Sequence, residues 1–518
     1  MLGFAGYLLI HYTCIQKSFI LGIIQRQGIR NSIITYTGIV LGAISLIIIQ
    51  PRFLTKEEIG LTRMLLAFSA LVANIMPLGV NATVFKYFPY FRNRDERHHG
   101  FFGFMLIFPL IGYIAIALLL YLFRGTIISH YIGQSRLFTE YFYYVFPLMF
   151  FITFTNVLGA YSGSIFRTSV PLLINDVFVR LGSIVVFTLY FIKWIDRDQL
   201  IFFYIGVYAM QLVTMICYLF YEDRPSLKIN WSKYRENTPY IMFKYGIVMS
   251  LSGISSIGLK YMDTLMLGLY KPKQASLNAL DIVGIYAIAA FVAAFVEAPM
   301  NALDKIIVPK IGEGWQKNDM EDIRQIYYKS AKYLLIIGGL LFLLINLNID
   351  SMFQLIPDKD FSLGKSVILI ISIGTLINMG TGNSDALLMT SSKYILLTWL
   401  LIGLIVIAYI NYRIFIPLFG MNGAAIATAL SATIYNFTKY FMIWRYYHLQ
   451  PFTIDTLKVI AVILITGAAV YFIPSVHNVF ADVAIRSSLV GIIFGSLIYA
   501  LKIVPEFHYL IPFLKNKK

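Results

Sequence analysis

The chain has 518 residues, of which 58% are hydrophobic and only 13% charged, with mean hydropathy +0.74. These values exclude an ordinary soluble protein and fit an integral membrane one. The net charge of +16 is read as basic loop residues that hold membrane topology, so no nucleic-acid partner is expected.

Residues 1–32 form an N-terminal cytoplasmic or interfacial segment. Its apolar start lacks the basic residues and clear small-residue cleavage site of a signal peptide. Gly22 to Arg30 reads as a basic amphipathic collar before the first crossing. Cys14 and Cys217 lie far apart on apolar segments, which predicts neither a disulfide framework nor a metal site.

A hydrocarbon core about 30 Å thick needs roughly 20 apolar residues per crossing helix. Long continuous apolar runs favour helices over the alternating strands of a barrel. The runs predict an all-α integral membrane fold with about fourteen transmembrane helices. They fall at 33–50, 62–85, 101–123, 140–162, 171–192, 200–221, 245–269, 281–300, 333–349, 365–388, 394–412, 421–443, 457–473 and 484–501. Basic residues support an orientation with both termini cytoplasmic: about 27 fall inside and about 13 outside. Arg52 and Lys56, in the first outer loop, run against that bias.

Loops are short, which leaves no room for a soluble catalytic domain, and neither a P-loop nor a dinucleotide fingerprint occurs. No enzyme activity and no cofactor are expected. Asp196-Arg197-Asp198 has the spacing of a sugar-nucleotide and metal site but reads as a solvated cluster in a short outer loop. His98-His99 reads as solvated surface in a basic loop.

An internal repeat runs through the chain. Tyr36-Thr-Gly38-Ile-Val40 corresponds to Lys244-Tyr-Gly246-Ile-Val248, and Glu58-Ile-Gly60 to Asp281-Ile-Val-Gly284. Proline-broken helices follow in both, at Met76-Pro77-Leu-Gly-Val-Asn81 and Ala298-Pro299-Met-Asn301. Phe166-Arg-Thr-Ser169 pairs with Met389-Thr-Ser-Ser392. The repeat predicts two six-helix bundles of the same orientation in a pseudo-twofold arrangement, as transporters use around a central cavity. The first bundle is 33–221, a cytoplasmic linker is 222–244, the second bundle is 245–443, and two additional helices with a basic tail occupy 444–518.

Ile416-Pro417-Leu-Phe-Gly420-Met-Asn422-Gly423-Ala424-Ala425-Ile-Ala427-Thr428, with Thr390-Ser-Ser-Lys393-Tyr before it, resembles the polysaccharide flippases of the multidrug/oligosaccharidyl-lipid/polysaccharide exporter superfamily. Pro51 to Gly60, Leu78 to Thr83, Phe85 to Pro89 and Tyr261 to Gly268 resemble that family's first outer loop, second helix and seventh helix. The physical content of the Gly423 motif is narrower. Gly423 and Ala427, Ala424 and Thr428, and Ala427 and Ser431 are each four apart, making a ridge of small residues for close helix packing. Pro417 and Gly420 end one element, and Asn422 is placed to cap the next.

Ionisable groups inside spans cost roughly 2.5 to 3.5 kcal/mol each at the membrane centre. Those present are Asp176 and Arg180 on the fifth span, Lys260 and Asp263 on the seventh, Glu297 on the eighth and Asp385 on the tenth. Asp176 and Arg180 are four apart and Lys260 and Asp263 three apart, so each pair shares a helical face. Each is read either as a static ion pair or as a pair with one member facing a cavity. Glu297 and Asp385 are read either as helix-end carboxylates or as coupling groups.

The resemblance implies alternating-access transport of an isoprenoid-diphosphate-linked oligosaccharide across a bacterial cytoplasmic (inner) membrane, in polysaccharide or lipopolysaccharide biosynthesis. Arg180 and Lys260 would then bind the diphosphate. Asp263, Glu297, Asp176 and Asp385 would couple H+ or Na+, and the remaining partners are membrane lipids. Two rivals stay open: a multidrug and toxin extruder of the same fold, and a membrane-embedded polysaccharide polymerase or ligase.

Overall fold

The computed structural model describes residues 30–93, 96–234, 238–271, 277–474 and 476–504. The expected interfacial segment up to residue 29, Cys14 and the basic tail at Lys515, Lys517 and Lys518 lie outside the described residues, as do both termini.

Every regular element among the described residues is helical. The main helices are α1 (Arg30–Phe53), α2 (Lys56–Ile75), α3 (Val80–Phe91), α4 (Phe101–Tyr131), α5 (Val145–Ser164) and α6 (Ser169–Phe191). Next come α7 (Arg197–Glu222), α8 (Thr238–Leu267), α9 (Ala279–Ala294), α10 (Ala298–Lys317), α11 (Met320–Leu347) and α12 (Lys365–Gly380). The chain continues through α13 (Ser384–Thr390), α14 (Tyr394–Phe419), α15 (Met421–Tyr447), α16 (Ile454–Tyr471) and α17 (Val479–Ala500).

Twelve helical stretches among the described residues are long and apolar enough to cross a membrane. α8 and α15 are not among the twelve, although they run for 30 and 27 residues. Both carry charge: Lys244, Lys260 and Asp263 on α8, Lys439 and Arg445 on α15.

Three predicted spans are each two helices. α2 stops at Ile75; Leu78 and Gly79 adopt left-handed φ of 48° and 76°, and α3 restarts at Val80. Pro77 cannot donate a helical hydrogen bond, and Gly79 takes the left-handed turn at little cost. Gly79 also has to be small, because a Cβ there would strike the backbone of Gly246. The eighth span narrows to a 3-10 turn at Phe295–Glu297 and resumes as α10, with Pro299 in its first turn. The tenth breaks at Thr381–Asn383 between α12 and α13.

Asn422 does not cap α15. Its side-chain oxygen accepts the Ser366 hydroxyl at 2.6 Å, and the turn is made by Gly420 at φ 61°. The small-residue ridge is as expected: Gly423, Ala424, Ala427 and Ser431 are buried, and a Cβ at Gly423 would meet the Phe415 carbonyl on α14.

The chain packs as two units. One takes the described parts of Met1–Phe53, Phe68–Thr126 and Tyr141–Gly253, the other Leu54–Ala67, Ile127–Glu140 and the described parts of Ile254–Lys518. The first unit has an aromatic core in which Phe88, Phe101 and Tyr161 are fully buried. In the second, α16 and α17 pack on α11 through Val459, Val462, Val490 and Phe494.

Within the second unit the start of α2 crosses the start of α9. A Cβ at Gly60 would strike the Leu280 backbone, and a Cβ at Gly284 would strike the Lys56 carbonyl. These are the two glycines paired by the sequence repeat, and each makes room for the other's helix. Lys56 is held by Asp358 at 3.2 Å and by Asp360, and Asn278 donates to Glu57 at 2.9 Å.

Candidate functional site

Five of the six charges singled out in the spans fall into three places among the described residues. The first is in the first unit. α6 widens into a π-helical turn at Ile174–Phe178, just where Asp176 sits. Such bulges insert a residue and re-aim side chains. Arg180 follows one turn later. Both side chains lie against α1: a Cβ built on Gly38 would be 2.8 Å from Asp176 Cβ and 3.0 Å from Arg180 Nη1. A Cβ on Gly42 would be 3.1 Å from Arg180 Cζ. Beside them Gln211 on α7 donates to Asn175 at 2.7 Å. The structure thus brings Asp176 and Arg180 together and adds Asn175, Gln211, Gly38 and Gly42.

The second place surrounds Asp263, on the part of α8 that belongs to the second unit. Its carboxylate accepts the Tyr286 hydroxyl at 2.9 Å, the Thr264 N–H at 2.6 Å and the Thr264 hydroxyl at 3.1 Å. Behind Tyr286 stand Thr428 and Tyr412, whose hydroxyls are 2.9 Å apart. Tyr286 and Tyr412 are each 1% exposed, so this hydroxyl cluster is shut away from solvent. Lys260 does not join it. Lys260 is exposed, its ammonium 5.4 Å from the Tyr261 ring, and Asp263 makes its contacts with hydroxyls and an amide instead.

The third place forms where the two broken helices meet. Asp385, in the first turn of α13, accepts Lys439 Nζ at 2.6 Å and the Tyr435 hydroxyl at 2.9 Å. Lys439 is 1% exposed and lies 4.2 Å from the Tyr435 ring, which adds a cation–π contact. Asn383, in the break itself, donates to Asp304 on α10. Glu297, in the 3-10 turn, is within electrostatic reach of Asp304, Asp385 and Lys439. Three carboxylates and one ammonium share this neighbourhood. Among the described residues no group of three or more His, Cys, Asp or Glu is disposed to hold a metal ion.

Several of these residues escaped the sequence reading. Lys439 lies inside the apolar run 421–443, and its spacing of four from Tyr435 was the available signal. Asp304 was hidden because the eighth span was expected to end near residue 300, where α10 has only begun. The Gly38–Gly42 spacing is a small-residue pair of the kind that lets helices approach closely. Tyr286 and Tyr412 had no signal, since tyrosines are common in spans, and Thr428 was read only as part of the small-residue ridge.

Two sequence motifs prove structural. Asp196 caps α7: its carboxylate accepts the Gln199 N–H at 2.8 Å, and Asp198 accepts the Tyr141 hydroxyl. His98 is not solvated. It is 2% exposed, its Nδ1 accepts the Asn93 N–H at 3.1 Å, and its Nε2 lies 3.1 Å from Asp223. Tyr161 donates to the other Asp223 oxygen at 2.6 Å. The reason is the backbone: Arg97, His98, His99 and Gly100 all take positive φ, a tight left-handed turn that drives His98 inward.

No protein-family model matches the chain, and no curated protein is significantly similar to it in sequence. Solved structures are similar in fold. A lipid II flippase, MurJ, in an inward closed conformation superposes with a TM-score of 0.73 at 15% identity, covering 92% of this chain and all of the flippase. The likeness is one of fold, shared with transporters of the multidrug/oligosaccharidyl-lipid/polysaccharide exporter superfamily. An inward-facing multidrug-resistance transporter of this superfamily matches with a TM-score of 0.60 at 14% identity, over 81% of this chain and 98% of its own. The outward-facing form of a transporter of that description matches with a TM-score of 0.53 over 81%. The resemblance carried by the Gly423 motif therefore holds at the level of fold. Within this exporter fold the three charged places sit on α6, on α8, and at the α10–α13 junction.

Proposed function

We propose that the chain is a flippase that moves an isoprenoid-diphosphate-linked oligosaccharide from the inner to the outer leaflet of a bacterial cytoplasmic membrane. It would work by alternating access, with both termini cytoplasmic. The observation that carries this reading is Arg180: a guanidinium placed inside a spanning helix, beside α1, where its planar donors suit the oxygens of a diphosphate. The lipid II flippase covers more of this chain than the multidrug transporters do, 92% against 81%, which also favours a lipid-linked cargo. Lys260, exposed on α8, is the second proposed phosphate ligand.

The chain's own groups divide the work. Arg180 and Lys260 hold the anionic head. Asp263 is the proposed coupling carboxylate, because a proton or monovalent cation arriving there would compete directly with the Tyr286 hydroxyl. Glu297 and Asp385 are the proposed second coupling group, with Lys439 as a built-in counter-charge. Asp176 is proposed to offset Arg180 when no cargo is bound.

The test is deletion of the gene followed by location of lipid-linked glycan. The expected result is accumulation in the inner leaflet, restored to normal by the wild-type chain and not by Arg180→Ala at equal protein level. Unchanged glycan pools with raised drug sensitivity would overturn the reading. They would support the second one, an extruder of organic cations, which is favoured by the gathering of Glu297, Asp304 and Asp385 in the second unit.

A further inference from the structure

The proposed ligand Arg180 sits in a notch, and the notch belongs to another helix. Gly38 and Gly42 are one turn apart on α1, so they open one face of that helix. Into that face the guanidinium of Arg180 is laid: Cζ, Nε and Nη1 would be 3.1, 3.2 and 3.2 Å from a Cβ on Gly42, and Nη1 3.0 Å from one on Gly38. Three atoms of one plane at nearly equal distance from a single point mean that the guanidinium group is presented to Gly42 with its plane and not with a single edge atom. The lower end of the notch is closed by Asp176, whose Cβ and carbonyl oxygen would be 2.8 and 3.0 Å from the Gly38 Cβ. Two irregular turns flank the contact. α1 passes into a π-helical stretch at Ile44–Ile49, just after Gly42, and α6 has its own at Ile174–Phe178, just before Arg180.

We infer that Gly42, with Gly38, is a positioning residue for Arg180: the side-chain-free face of α1 sets where the guanidinium stands and which way its donors point. This rests on the reading of Arg180 as a diphosphate ligand. The chemistry favours it over simple close packing of two helices. Gly60 and Gly423 meet the backbone of Leu280 and Phe415, Gly338 and Gly339 meet the apolar side chains of Met379 and Ile463, and Gly38 meets the Asp176 carbonyl. Gly42 differs: all three of its nearest atoms belong to the guanidinium of Arg180, so a methyl there would press on the charged group itself. A methyl at Gly42 is therefore tolerable to the fold but not to the arginine's aim.

The experiment measures binding of farnesyl diphosphate to the purified full-length protein in detergent, for a double-mutant cycle. Arg180→Ala is expected to weaken binding roughly tenfold, the size of a lost charge-assisted contact. Gly42→Ala should weaken it roughly threefold, by forcing the guanidinium off its rotamer. In an Arg180→Lys background, whose ammonium has no plane to lay on the notch, Gly42→Ala should then cost nothing further. Gly206→Ala on α7, where a Cβ meets nothing within 4 Å, controls for a general glycine effect and should bind as wild type.

If Arg180→Ala weakens binding but Gly42→Ala costs nothing, or costs the same in both backgrounds, the positioning role is overturned and Arg180 stands as a ligand. If Arg180→Ala binds as tightly as wild type, the ligand reading itself fails and this inference with it.

Discussion

The two units bury charge in opposite ways. In the first, the intramembrane cation Arg180 lies on bare backbone, in a face of α1 emptied by Gly38 and Gly42. In the second, Asp263 is wrapped in hydroxyls from Tyr286 and Thr264, and Asp385 is met by a buried lysine. Glycines of one helix make room for the guanidinium of another, with Asp176 beside it. Hydroxyls and an ammonium satisfy a carboxylate until a competing proton or cation arrives. Under the proposed function, Arg180 in the first unit serves the anionic cargo and the carboxylates of the second serve the exchanging cation.

The sharpest way to break this contrast is at Asp385. Asparagine there keeps the shape but leaves Lys439 charged and 1% exposed, and unpaired buried charges cost about 3 kcal/mol or more. Asp385→Asn should lower the melting temperature more than Lys439→Met, because Asp385 is 46% exposed and can be solvated once the lysine is gone. Equal losses would mean that Lys439 is not charged.

A second change asks whether close backbone contact is also used for pure packing. Gly284→Ala pushes a methyl into the Lys56 carbonyl, with no flexible tip to give way, and should cost about 2 kcal/mol of thermal stability. A neutral result would show that α2 and α9 separate at little cost.

The first unit also has a buried carboxylate treated as those of the second are: Asp223, held by His98 and Tyr161. His98→Ala should destabilise by about 1 to 3 kcal/mol, the cost of a buried acceptor losing a partner. In an Asp223→Asn background the loss should shrink, and thermal melts of the four proteins check that coupling.

The smallest structural effect and the largest selective one belong to Asp263→Asn. The amide oxygen can keep the Thr264 N–H and hydroxyl while its NH2 donates to the Tyr286 oxygen, so stability should change by less than about 1 kcal/mol. Ion-dependent flipping in proteoliposomes should nevertheless collapse, since an amide neither takes up a proton nor carries the charge. Full transport with an unchanged ion dependence would remove Asp263 from the coupling role.

Much of this was legible in the residues. Apolar runs of spanning length placed nearly every helix, because in lipid a backbone has no partner but itself. The Pro77 and Pro299 breaks were readable because proline removes a donor wherever it stands. The ends were less so. α4 and α11 run well beyond their apolar cores at Phe101–Tyr131 and Met320–Leu347, since a helix does not stop where its hydrophobicity does. The charged candidates were readable from their cost, as any Asp, Glu, Arg or Lys inside a span stands out. Lys439 was overlooked because its run looked apolar on average.

By itself the sequence determined the solvent, the helical class and the short roll of costly charges, all of which follow from local composition and period. Only the tertiary structure decided the company those charges keep. Lys260 and Asp263 are three apart and yet part ways, while Asp385 and Lys439 are 54 apart and form a pair at 2.6 Å. Spacing along a helix says which face two residues share, but partners on other helices decide where each side chain ends. That is why Gly42, marked in the sequence only by its spacing from Gly38, is the residue that meets the guanidinium of Arg180.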